Sequence, residues 1–356
     1  MEENMKAEEK KMKKLVVLLV AGMVLLGMGC SGKKQPASTG TASTGTASAK
    51  GPGDLKIALI LPGPINDQSW NAINYAGLQK CNTTLGTKME YIENVQAPDY
   101  ESTFRNYAER GYDLIMAAGT QFDEAANRVA ANYPKTFFCV VNGMVANGPN
   151  VGPIFPREYE ASYIAALIAG EVSTNGQFAT IGGFPNDAME KLLDVYEKVA
   201  VETAQSRGLS KAKAVRAYAN SWDNVALGKQ MAETMINNGA DTLFVYANQV
   251  GLGSIQAAKE KGIKFIGFSG DQTTIDPNTV VASVQFDFET FYVWAVSAFI
   301  KGDLKGNMVH EAGLHENIFV PIYTPSIPQS VKDYVSAGIK KALDGGVDLK
   351  SYFTKK

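Results

Sequence analysis

Histidine is nearly missing from this chain: His310 and His315 are the only two in 356 residues. Proton-shuttle chemistry near neutral pH leans on imidazole, and neither histidine stands beside a serine or cysteine in a nucleophile motif. In HEAGLH the two are five residues apart, which is a poor spacing for one helix face, so a zinc site is not expected. Cysteine is almost as scarce. Cys30, Cys81 and Cys139 form no CxxC pair. Cys139, inside the apolar run TFFCVV, reads as a buried thiol, with a Cys81–Cys139 disulfide as the alternative. No GxxxxGK[ST] loop and no HExxH occurs, and GLGSIQA lacks the full GxGxxG pattern. Charge of one sign is lacking too. Lys and Arg number 34 against 36 Asp and Glu, so there is no basic footprint for nucleic acid. These absences argue against catalysis, a resident metal and any cofactor.

Only one long apolar run is present, Leu15–Gly29, with Lys13 and Lys14 before it and Cys30 after it. A basic start, a short apolar stretch and small residues at its end make an export signal. The run falls short of the ~20 residues that span a bilayer. LGMGC resembles a lipobox, with Gly27 where leucine is usual. The expectation is a signal over 1–29, cleaved before a lipidated Cys30. Residues 30–53, rich in Ser, Thr, Gly and Ala, read as a flexible tether. Met12 opens an MKK pattern and is a second candidate start.

The remaining three hundred or so residues exceed one typical core and predict two lobes. Strand-like runs alternate with amphipathic helical patterns: KIALIL, KMEYIENV, YDLIMAAG and TFFCVVNG, then FATIGGF, KAVRAYAN, TLFVYAN, KFIGFSG and TVVASVQF. Short apolar runs joined by helices indicate parallel βαβ sheets with helices on both faces. Two such series in tandem predict an α/β protein of two doubly wound lobes with a cleft between them.

Ligands of such sheets sit beyond the carboxyl ends of the strands. The segments there are PGPINDQSWN, ENVQAPD, GTQFDE, NGMVANG, FPNDAM, NSWDN, NQVGLG and SGDQTT, all rich in amides, hydroxyls and carboxylates. Two carry tryptophan, Trp70 and Trp222, one in each series. An indole in this setting is either a packing residue or half of a clamp on a flat ring. The edge-reading candidates are Asn66, Asp67, Asn71, Glu93 and Asp123 (or Glu124) on one side, and Asn220, Asp223, Asn248 and Asp271 on the other. Asp67 and Ser69 are also candidates to cap the helix that follows. Trp294, in FYVWAVSAF, reads as core.

INDQSWN, YDLIMAAGTQF, FPREYEASYIAALIAG and NGADTLFVYANQVGLGSIQAAKEKG followed by FIGFSGDQ together resemble the basic membrane protein family of ABC-transporter substrate-binding lipoproteins, across nearly all of the chain beyond Cys30. The resemblance implies a type I periplasmic-binding-protein fold, two lobes joined by three crossovers near 150–158, 283–288 and 305–319. The lobes would comprise 54–152 with 287–312, and 153–286 with 313–356. It implies a small-molecule ligand, chiefly a purine nucleoside stacked between two aromatics at the positions of Trp70 and Trp222, an ABC permease as partner, and a membrane anchor at Cys30. The chain departs from the family at the sugar end. Ser269 stands where an Asp is expected, and Gln285 or Phe286 where a Lys is expected. A free purine base needs no ribose clamp and is the ligand this departure favours. A sugar or another small heterocycle is the alternative, as is a sensor role toward a membrane receptor.

Overall fold

The computed structural model describes residues 50–67 and 70–354. The expected signal, Cys30 and the tether up to Ala49 lie outside the described residues, as does Ser69. The body begins slightly before the sequence suggests. Lys50 pairs with Asp113 at 2.7 Å, and Pro52–Asp54 form a 3₁₀ turn. The last residues assigned to the tether are therefore part of the folded body.

In chain order come β1 (Ile57–Ile60), α1 (Trp70–Leu85), β2 (Glu90–Ile92), α2 (Tyr100–Glu109), β3 (Leu114–Ala118), α3 (Asp123–Ala130), β4 (Phe137–Val141) and β5 (Ile154–Pro156). Then follow α4 (Glu158–Val172), β6 (Gln177–Gly182), α5 (Asp187–Ser206), β7 (Lys213–Tyr218), α6 (Val225–Asn237), β8 (Thr242–Tyr246), α7 (Gln249–Lys261), β9 (Lys264–Ser269) and β10 (Val280–Phe286). The chain ends with α8 (Phe288–Lys301), β11 (His310–Ala312), β12 (Phe319–Tyr323) and α9 (Gln329–Leu343).

The strands form two sheets, β2-β1-β3-β4-β5-β11 and β7-β6-β8-β9-β10-β12. Each begins with the 2-1-3-4 order of a doubly wound fold. All described pairings are parallel except β10 with β12. Burial explains the order. Every residue of β1 and β3 is buried, as the unbroken runs IALI and LIMAA require of central strands covered on both faces. β2, with the sequence EYI, is exposed throughout and sits at the edge. The two-residue period divides β1 between two cores. Ile57 and Leu59 pack with Leu78 and Cys81, while Ala58 and Ile60 pack with Phe104 and Phe122. Cys81 and Cys139 are free buried thiols, not a disulfide. Trp294 joins the core, stacked on Phe291 at 5.7 Å.

The chain passes between the sheets three times, after β5, after β10 and after β11. The sequence reading starts the second lobe at 153, but Ile154–Pro156 still pairs with β11 in the first sheet. A three-residue strand lies below what hydrophobic periodicity resolves. Arg157, just past β5, ties the first crossover to the third. Its Nε donates to Glu160 Oε1 at 2.5 Å, Nη2 to Glu316 Oε2 at 3.1 Å and Nη1 to the Glu311 carbonyl at 2.9 Å. Removing one member of a largely buried ion network leaves the others unpaired. Arg157→Ala is therefore expected to lower unfolding free energy by about 2 kcal/mol, read from urea titration. An unchanged urea midpoint would show that this network does not hold the crossovers.

Candidate functional site

Most of the strained backbone lies at the carboxyl edges of the two sheets. Asn94, Asn142, Asn220, Asn248 and Ser269, all at or just past strand ends, have φ between 44° and 75°. Non-glycine residues visit this region rarely, and asparagine tolerates it best. Such clusters mark places where a chain is turned sharply to present groups to a ligand. The strand-end asparagines noted in the sequence thus have a backbone reason for their identity.

In the first sheet's wall, several of the expected ligand readers brace their own loop. Asp67 accepts from the Asn71 backbone N–H at 3.0 Å, from Asn71 Nδ2 at 2.8 Å and from Ala72 N–H at 2.9 Å. It satisfies the open first turn of α1. Asn71 Oδ1 accepts from Gly63 N–H at 3.0 Å, and Glu93 Oε2 accepts from Ile65 N–H at 2.7 Å. Asn66 is exposed in the turn between them. Asp67→Ala should therefore cost about 1–2 kcal/mol of stability, the usual scale of a lost helix cap, with Asp67→Asn costing less. A calorimetric melt of both variants checks this, and equal midpoints for Asp67→Ala and wild type would contradict it.

Trp70 is half-buried. Its Nε1–H donates to the Ala118 carbonyl at the end of β3 at 3.0 Å, and its ring meets Phe288 edge-on at 5.5 Å. Asp123, at the start of α3, is buried. One carboxylate oxygen accepts from Met144 N–H at 2.9 Å, and the other has no partner among the described residues. Burial pushes its pKa up, against the lowering effect of the Met144 and Val145 N–H groups. Glu124, the alternative to Asp123, points to solvent and pairs with Arg128.

In the second wall, Trp222 is 36% exposed and lies beside Phe184, ring centroids 5.6 Å apart. Its ring rests on backbone at Gly183, where an added Cβ would come within 2.3 Å of the indole. Only glycine admits that approach. The Trp222 carbonyl accepts from Gln249 N–H at 2.9 Å, which joins the β7 and β8 exit loops. Asp223 bonds locally, accepting from Ser221 Oγ, and Asn220 is exposed.

Asp67, Asn248 and Asp271 come together around one cavity of about 470 Å³, with Tyr246, Phe268 and Ser269 also on its wall. Asp67 belongs to the first wall and the rest to the second, so the cavity lies between them. Asp271 is partly engaged, accepting from Thr273 N–H at 3.0 Å. No Lys, Arg or His is among the described residues that line the cavity. Two carboxylates without a cation disfavour an anionic ligand and favour a neutral one with N–H or O–H groups. Phe184, Gly183 and Tyr246 escape the sequence reading. Phe184 does stand in a strand-exit segment, so its position was a signal, but attention to tryptophan alone misses it.

A family model described as ABC transporter substrate-binding protein PnrA-like matches residues 54–343. A relative from Lactococcus lactis subsp. cremoris (strain MG1363), an ABC transporter nucleoside-binding protein BmpA, is 30% identical over 217 residues, which is 60% of this chain and 60% of that protein. Among solved structures, a transcriptional activator of the comK gene from Bacillus halodurans superposes with TM-score 0.71 at 19% identity, covering 82% of this chain and 99% of that one. An ABC transporter solute-binding protein from Aeropyrum pernix K1 gives 0.64 at 19% identity, covering 83% and 92%. The two doubly wound sheets and their three crossovers are those of the type I periplasmic-binding-protein fold. With a family match running through almost the whole described body, the chain belongs to the PnrA-like ABC transporter substrate-binding proteins.

Proposed function

We propose that this protein captures a purine base or purine nucleoside between its lobes and delivers it to an ABC permease, held at the membrane by a lipid on Cys30. The observation that carries the reading is the exposed Trp222 ring, backed by Phe184 and laid over Gly183; neither tryptophan lines the inter-wall cavity of amides and carboxylates, but the Trp222 carbonyl is bonded to Gln249 on its wall. An aromatic wall offers a face to any flat ring, and the polar groups read its edge. The absence of cationic groups from that lining speaks against nucleotides. Ser269, exposed on the same cavity where a ribose-binding carboxylate would be expected, favours the free base over the nucleoside. Binding would work by differential contact, since only a closed arrangement lets both walls touch the ligand. No helix among the described residues is long and apolar enough to cross a membrane, so attachment rests on Cys30 in this reading.

Mass spectrometry of what the denatured protein releases tests the ligand class, followed by calorimetric titration with adenine, hypoxanthine, adenosine and ribose. Binding of ribose with no response to any purine would replace the reading with a sugar-binding one. Metabolic labelling with a fatty acid, lost in Cys30→Ser, tests the anchor.

A further inference from the structure

Tyr246 is the last residue of β8, and its ring lines the inter-wall cavity together with Asn248 and Asp271. Its hydroxyl reaches through to Glu158 and donates to that carboxyl. Glu158 opens α4 directly after the first crossover and lines a second cavity of about 320 Å³. Met144, Phe155 and Val309 come to that cavity from the first-sheet side, and Asp187, Ala188 and Lys191 from the second. The Glu158–Tyr246 pair therefore stands between two cavities, each lined by residues of both lobes.

Of the cations that line this cavity, Lys191 and Arg157 are paired elsewhere, and Lys350 forms no ion pair among the described residues. From α5, Lys191 pairs with Asp187 at 2.6 Å. On the crossover, Arg157 pairs with Glu160 and Glu316. Glu311 in β11 and Lys350 from the C-terminal 3₁₀ turn also line the cavity, and Tyr159 is on the same helix turn. Among the described residues no cation pairs with Glu158. Glu158 keeps part of its surface on the cavity and the start of α4 favours its anion, but the packed surroundings of the carboxyl outweigh this and the Tyr246 bond, and lift its pKa to about 7. Tyr246 is held well above its ordinary value, so it remains a donor.

We infer that Glu158, with Tyr246, is a ligand-linked proton site: closing the lobes on a ligand draws a proton from solvent onto the Glu158 carboxyl. Closure removes water from the hinge cavity, which penalises a buried anion and leaves a neutral acid unharmed. The neutral carboxyl still accepts from Tyr246 with one oxygen and carries its proton on the other. Ligand and proton then bind together, and affinity falls as pH rises through neutrality. This inference rests on the lobe-closure and purine readings above.

The test is calorimetry of the mature chain with adenine or adenosine, neither of which titrates near neutrality, in buffers of differing ionisation enthalpy. The expected result is uptake of about half a proton near pH 7 and affinity falling about threefold from pH 6.5 to 7.5. Both effects should vanish in Glu158→Gln. Tyr246→Phe, which keeps the ring and removes the donor that favours the anion, should move the pH dependence upward. No proton uptake by the wild type, or unchanged uptake in Glu158→Gln, overturns the inference. A ligand-free measurement separates it from the purine reading. The carboxyl ¹³C signal of Glu158 should titrate near pH 7, whereas a midpoint in the ordinary carboxylate range overturns the proton site even if purines bind. If no purine binds, the purine reading falls, and the same proton-uptake measurement with the compound that the denatured protein releases decides: binding without uptake overturns the proton site.

Discussion

Trp222→Ala is expected to weaken purine binding by roughly 1–3 kcal/mol, the scale of one base–aromatic stack, while leaving unfolding nearly unchanged. The ring is partly exposed and touches mainly Phe184 and the backbone at Gly183, so its loss opens little cavity in the core. Trp70→Ala should behave differently. That indole is packed on the core, edge-on to Phe288, and its N–H is bonded to the Ala118 carbonyl. Truncation leaves a cavity and an orphaned carbonyl, and the expected loss of stability is about 3 kcal/mol. Trp70→Phe separates the two contributions, since it keeps most of the packing and loses only the hydrogen bond, about 1 kcal/mol. Calorimetric titration paired with urea unfolding on all three variants decides. A Trp222→Ala protein that binds purine like the wild type would remove the aromatic wall from the proposed site. A Trp70→Ala protein as stable as the wild type would show that this ring is free to serve the ligand alone.

The second large effect is expected far from any ligand. Gly228 in α6 and Gly253 in α7 bring two helix backbones into direct contact. A Cβ at Gly253 would stand 1.9 Å from the Val225 carbonyl oxygen, and one at Gly228 would stand 2.0 Å from that of Val250. The obstacle in each case is backbone, which cannot rotate away. Ser254 Oγ reinforces the contact by donating to the Gly228 carbonyl at 3.1 Å. Gly253→Ala must push the helices apart, and a cost of about 3 kcal/mol, at the upper end of ordinary overpacking, is expected. The consequence reaches the site because the loops that open these helices carry Trp222 and Asn248, joined by the Gln249-to-Trp222 backbone bond. Purine affinity should therefore drop in Gly253→Ala even under conditions where the variant is fully folded. Gly262→Ala, at the far end of α7 where nothing lies within 4 Å of an added Cβ, provides a comparison. It meets only the cost of its positive φ, and its affinity should match the wild type. Equal losses of affinity in both variants would mean that the helix contact does not place the site.

The central strands were legible in one dimension, because a parallel strand covered on both faces is apolar throughout, as IALI, LIMAA and TLFVY are; the short β5 and β11 and the antiparallel β12 were not. The sequence also brought the polar strand-exit segments to one edge of each sheet, since the exits of parallel strands in a doubly wound sheet share that edge. Which partner each polar group meets there depends on how the loops pack. Asp67, Asn71 and Glu93 look alike as ligand readers in one dimension, yet each meets N–H groups of its own loop, where a buried donor must be met, and of the three Asp67 also reaches the cavity wall. Asp123 and Glu124 are adjacent and chemically alike, and helix rotation alone buries one and exposes the other. Phe184 meets Trp222, and Glu158 meets Tyr246 across 88 positions, through sheet packing that no local pattern encodes. Composition and period report the average surroundings of a residue, whereas a hydrogen-bond partner depends on the distance and angle between two atoms, which only the packed chain specifies.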